Sequence, residues 1–202
     1  MAAEAWQRGF AGAQRKVCVT DGSDAIRRVL ENYFSHYTHV LDLMHALGYA
    51  MNAARAVGGG HSEIRVRYRG WAELIWQGKV NEVIQVLKEH QSSLGNPPQY
   101  ASSDATREAL RRSCVYFTNQ QSRMNYPEYR KQGFPLTSSL MESAVKQINR
   151  RVKGSENFWS ESGGDELLAL RADAVSDGDK LSEFLEQLSR PNDGFRQYAH
   201  AA

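Results

Sequence analysis

The sequence predicts a mostly helical α/β fold, and three observations predict it. Two short β-branched runs, KVCVT at 16–20 and THVLDL at 38–43, lie near the N-terminus with a helical stretch between them. From His61 to about Arg123 apolar residues recur only at helical spacing. The composition, 41% hydrophobic and 24% charged, is that of a globular protein.

Residues 3–14 read as a helix leading into the first strand. KVCVT lacks alternation, which suits a central strand covered on both faces. It stops at Asp21-Gly22. An acid at the C-terminal end of a buried strand, followed by glycine, is where open α/β sheets keep their chemistry. The plainer reading is a strand-to-helix turn in which Asp21 or Ser23 caps a helix over 24–33.

The second strand passes into a helix that a glycine triplet stops at 58–60. Asp42 and His45 stand at that junction three positions apart, a spacing that permits a shared metal or a hydrogen bond. No second pair at ligand spacing completes a zinc site, so a hydrogen-bonded structural pair is expected. Two helices follow with a break near Gly78, and Trp71 and Trp76 are expected in their core. After a turn at NPP (96–98), a long helix runs through SDATREALRRSCVYFTNQQSRM. The stretch from Tyr126 to Pro135 reads as loop with at most a short turn.

The loop feeds a helix from about Ser139 to Val152, stopped at Gly154. A 3.6-residue period puts Met141, Ala144, Val145, Ile148 and Val152 on a buried stripe. Glu142 lies off it and heads a polar row of Lys146, Asn149 and Lys153. Two roles fit Glu142. Ser139-x-x-Glu142 matches a capping box, and a carboxylate beside a basic ridge also suits a metal next to phosphate. DELLALRADAV and DKLSEFLEQLS form two short packing helices. The elements group as 1–58 with both strands, 59–133 all helical, 134–190 with the Glu142 helix and C-terminal helices, and 191–202 as a disordered tail.

Net charge is only +2, which announces no nucleic-acid binder, but the charges are unevenly placed. Residues 107–153 are rich in Arg and Lys, and the stretch from Glu156 to Glu186 is acidic. That asymmetry suits phosphate binding as well as an ordinary solvated helix face. Cys18 and Cys114 have no C-x-x-C spacing, and Cys18 reads as a small buried residue. The sequence contains no apolar span long enough for a membrane helix and no signal peptide, so a cytoplasmic protein is expected, nucleoid-associated if active.

The blocks VTDGSDAI, VLDLMHA, NQQSRMNYPEYRKQGFPLTSSLMESAVKQINRRVKGSENFW and LLALRADAVS, in that order, resemble the catalytic domain of insertion-sequence transposases, cousins of the Mutator-like transposases. The resemblance covers about residues 5–185. It implies an RNase-H-like DDE core with an all-helical insertion, so that 1–58 would be the second half of the sheet. It assigns the second catalytic aspartate to Asp21 and the final glutamate to Glu142, in a helix start matched by Ser138, Glu142 and Ser143. Both would be ligands of a two-metal Mg²⁺ (or Mn²⁺) site. The family's (Cys/Asp)-x-x-His signature is matched by Asp42 and His45. Partners implied are DNA, both transposon ends and target, and a homo-oligomer in the complete enzyme. Arg123, Lys146, Arg150 and Lys153 would contact phosphates, and Trp159, Tyr126 and Tyr129 would stack on a terminal base or pack in the core.

One departure stands out. The family's first catalytic aspartate lies on an upstream strand, whereas the only acid before Asp21 here is Glu4, in a helical stretch. The chain is therefore expected to be the C-terminal portion of a truncated or split transposase, inactive by itself. The alternatives are a non-catalytic helical DNA-binding module, and another RNase-H-like nuclease such as a resolvase.

Overall fold

The computed structural model describes residues 2–95, 105–150, 158–175 and 180–188. The chain divides into two compact units, Met1–Ser138 and Ser139–Ala202. Mostly helical α/β is the observed class: ten α-helices and one two-stranded sheet among the described residues.

In the first unit, β1 (Val17–Thr20) and β2 (Thr38–Leu41) pair in parallel, with Val17 opposite Thr38 and Thr20 opposite Leu41. A parallel pair needs a crossover, and α2 (Asp24–Tyr33) supplies it. Alternation along β1 sends Val17 and Val19 into the main core, while Cys18 joins a smaller cluster of Ala5, Leu30 and Phe34. Both faces are thus covered as expected. The strand is not central, however: it has one described neighbour, and all four of its residues are only half-buried. Cys18 is likewise half-buried rather than enclosed.

The helix expected over 3–14 breaks. Gly9, at φ +74°, ends α1 (Ala2–Gln7) and leads into a 3-10 turn at Phe10–Gly12. That left-handed conformation favours glycine and interrupts helical hydrogen bonding.

The main core lies among α3 (Leu43–Ala56), α4 (His61–Trp76), α5 (Val80–Leu94) and α6 (Ala105–Gln120). α3 turns an alanine face inward, with Ala46, Ala50, Ala53 and Ala54 wholly buried. Such small side chains let helices approach closely. In the same core lie Ile75, Val83, Leu87, Leu110 and Phe117, all fully enclosed. Gly78, at φ +75°, makes the expected break between α4 and α5, where a Cβ would lie 3.1 Å from Pro127 Cδ. This cluster runs without interruption from Val40 to Tyr129, so the strand pair and the helical block share one core. Trp71 is buried as expected. Trp76 is 42% exposed instead, its ring covered on one side by the Arg130 guanidinium 3.8 Å from the centroid.

A 3-10 turn at Gln121–Arg123 extends α6, and the stretch expected as loop contains a helix, α7 (Tyr126–Lys131). Pro127 at the start of α7 gives a preset φ where no amide partner is needed. Tyr126 Oη donates to Leu41 O at 3.2 Å and Tyr129 Oη to His39 O at 3.3 Å. One turn apart on α7, the two phenols satisfy carbonyls of β2.

The second unit contains α8 (Ser139–Asn149), α9 (Glu161–Val175) and α10 (Lys180–Leu188). α9 starts four residues before the predicted helix. Arg171 of α9 donates to the Gln147 carbonyl of α8 at 2.9 Å. The stripe expected to be buried on α8 is not: Met141 is 67% and Val145 44% exposed. Ile148's side chain, Val152, Gly154, the NPP turn and the 191–202 tail lie outside the described residues. No described helix is long and apolar enough to cross a membrane.

Candidate functional site

Where β1 ends, the backbone turns through Asp21 and Gly22. Asp21 Oδ1 accepts the Ser23 amide at 2.9 Å, and Ser23 Oγ accepts the Ile26 amide at 3.4 Å. Ser23 is therefore the N-cap of α2, and Asp21 closes the small turn before it. Asp21 Oδ2 has no hydrogen-bond partner among the described residues. Gly22 is buried at φ +89°, where an added Cβ would stand 2.9 Å from Leu41 Cδ1 and 3.2 Å from Gln120 Cδ. Only glycine satisfies both the dihedral and the space.

Three side chains from the helical block reach back to this turn. Tyr116 Oη donates to Asp21 O at 2.9 Å, and Gln120 Nε2 donates to Gly22 O at 3.0 Å. Arg123 donates through Nη1 to Thr20 Oγ1 at 3.4 Å and through Nη2 to Gln120 Oε1. Burial pushes the Tyr116 phenol well above its ordinary range, so it remains a donor. Burial also lowers Arg123, but a guanidinium keeps its charge in proteins. At 8% exposure Arg123 is a buried strut, which corrects its expected place on a phosphate-contacting surface. Tyr126 and Tyr129 are core residues of α7 bonded to β2 rather than base-stacking platforms.

Asp42, with 1% of its surface exposed, caps α3 through Oδ1, which accepts the His45 amide at 3.0 Å and lies 3.3 Å from His45 Nδ1. Its Oδ2 accepts both the amide and the hydroxyl of Ser138, at 2.6 and 2.7 Å. Burial raises the Asp42 pKa, but the bonds from Ser138 and His45 outweigh it and hold the carboxyl below its ordinary value. The hydrogen-bonded pair expected of Asp42 and His45 is present. Ser138 joins it, tying the segment at the end of the first unit to the base of α3.

Glu142 lies in the first turn of α8. That helix begins at Ser139 itself, one position earlier than a capping box with Ser139 as N-cap requires. Glu142 instead faces Lys146 at 3.9 Å, with both side chains at least half exposed. Such a surface pair is worth well under about 1 kcal/mol. Arg150 is exposed on the turn after α8, Lys153 lies outside the described residues, and Trp159 is 48% exposed.

The basic stretch is also less open than its composition implies. Arg111 and Arg112 both hold Glu108, at 2.8 and 2.6 Å, and their hydrogen bonds pull that carboxyl down to about 2. Arg130 is engaged with Trp76.

The sequence reading missed Tyr116 and Gln120. A signal exists: Ser113, Phe117 and Gln120 share the buried face of α6, and a glutamine there needs a polar partner. Hard divalent cations take carboxylate oxygens and keep several waters. Asp21, half-buried with Oδ2 uncommitted, fits that demand as one ligand.

Comparison with protein-family models, with curated proteins and with solved structures finds no match to this chain.

Proposed function

We propose that this chain is the Asp-Gly and Glu portion of an RNase-H-like DDE transposase core that cuts and joins DNA with Mg²⁺ or Mn²⁺. The observation that supports it best is the turn at Asp21: a segment at the C-terminal end of a parallel strand whose backbone is held from several sides, and whose carboxylate keeps one oxygen uncommitted among the described residues. The order of the four sequence blocks supports it too, since that order assigns Glu142 as the partner carboxylate. When bound, a metal pair stabilises the attacking and the leaving oxygen of phosphoryl transfer. Asp21 and Glu142 are the groups that would hold it. Arg150, Lys153 and Trp159 are the residues proposed to meet DNA backbone and a terminal base, giving affinity without sequence choice. Transposon ends, target DNA and further copies of the chain are the proposed partners.

Titration of the chain with Mn²⁺ tests the reading, followed by incubation of the complete enzyme with end-labelled duplex DNA. Asp21→Asn and Glu142→Gln should each weaken Mn²⁺ binding about tenfold or more. Unchanged affinity in either variant removes the assignment. Joined products mark a transposase; cleavage without joining marks another RNase-H-like nuclease.

The pairing of Glu142 with Lys146 on an exposed helix favours a second reading, a non-catalytic helical DNA-binding module. On that reading DNA retention falls with salt and is indifferent to Mn²⁺ and to Glu142.

A further inference from the structure

Tyr116, Gln120 and Arg123 are spaced i, i+4 and i+7, which on a continuous helical path puts them on one face. Each spends its polar group on a different residue of one short segment: Arg123 on Thr20, Tyr116 on Asp21, Gln120 on Gly22. Two of those acceptors are backbone carbonyls, and the third is the hydroxyl of the last β1 residue. None of the three bonds goes to the Asp21 carboxylate itself. They constrain the backbone that carries the carboxylate and leave Oδ2 uncommitted. Gly22 adds a steric limit, because Leu41 and Gln120 crowd the space a side chain would need.

Simple core satisfaction does not ask for this pattern. A glutamine alone would have satisfied the Gly22 carbonyl. A buried guanidinium with no carboxylate bonded to it among the described residues is a costly way to hold another side chain unless orientation matters. Here Arg123 bonds both Gln120 and Thr20, so the three side chains lock one another as well as the turn.

We infer that Tyr116, Gln120 and Arg123 are positioning residues for Asp21: one face of the helical block serves as a template that fixes the strand-end backbone and so aims the carboxylate at its cation. The inference rests on the proposed metal role of Asp21. Preorganisation of this kind supports a ligand from behind, as outer partners of metal ligands do.

The test uses the full chain and two readouts. The first is hydrogen exchange at the Ser23 amide, whose acceptor is Asp21 Oδ1; the second is Mn²⁺ affinity, with Asp21→Asn as reference. Tyr116→Phe removes one hydroxyl and keeps the ring stacked on Tyr49, 3.7 Å between centroids, so the fold should survive. The expected result is Ser23 exchange faster by about tenfold and Mn²⁺ binding weaker by about tenfold, the range seen when such supporting partners are lost. Ser113→Ala is the control: it sits on the same helix but bonds Tyr49 O and Ala109 O, away from Asp21. It should lower the melting temperature without changing either readout.

If Tyr116→Phe leaves both readouts unchanged, or Ser113→Ala shifts them equally, the clamp is ordinary packing and the inference is overturned. If Asp21→Asn binds Mn²⁺ as tightly as the wild type, the metal reading fails and takes the positioning role with it. The Ser23 amide then still reports whether the clamp exists, so the two failures are told apart.

Discussion

At the scale of single residues, Asp42 and Gly22 carry the most specific demands. Asp42 is enclosed and accepts hydrogen bonds from Ser138 and His45. Its folded-state pKa lies below the ordinary value of 3.8, so its stabilisation is fully present above that value and is lost as pH falls through the folded pKa. Asp42→Asn should cost about 1–3 kcal/mol at neutral pH, the scale of charge-assisted bonds to a buried acceptor. The gap in melting temperature between wild type and variant should narrow below about pH 4, as followed by circular dichroism. Gly22→Ala should destabilise by about 1–3 kcal/mol, since it combines a positive φ with a Cβ driven against Leu41. Denaturant unfolding measures it. Asp21-Gly22 was legible in the sequence as a strand-end turn because glycine and acid carry local signals. Whether Asp21 or Ser23 caps α2 was not, because both have the oxygen to do it and only the backbone path chooses.

At the scale of elements, helix periods and glycine stops placed α3 through α6 closely, since an amphipathic period extends over many residues and survives noise. The first helix and α7 were misjudged for opposite reasons. Gly9 shortens a stretch whose composition looks helical, while tertiary bonds stabilise six residues whose Pro and Tyr content reads as loop. The tyrosines of α7 make a testable claim. Their hydroxyls satisfy the His39 and Leu41 carbonyls of β2, and burial raises both phenols so that they stay protonated donors. The double change Tyr126→Phe with Tyr129→Phe should lose about 2 kcal/mol, roughly 1 kcal/mol per bond. Amides of β2 should exchange faster while those of α5 do not.

At the scale of the whole molecule, the principal core belongs entirely to the unit Met1–Ser138. A chain ending at Ser138 retains that core and the Asp42–Ser138 bonds. It should melt in a single cooperative transition, and a broad, non-cooperative melt would contradict the division. No described residue of α8, α9 or α10 is fully buried, so the isolated second unit should show weak cooperativity. The sequence by itself determined the class, the two strands with a helix between them, the glycine breaks at 58–60 and near Gly78 and the residues worth suspecting, because these depend on propensity, period and dihedral freedom read along the chain. Only the tertiary structure decided that the helical block and the strands share one core, that Arg123 is a strut, and that Tyr116 and Gln120 hold the Asp21 turn. Those facts depend on which side chains meet across long loops, and a hydrogen bond between residues some hundred positions apart leaves no local mark on either.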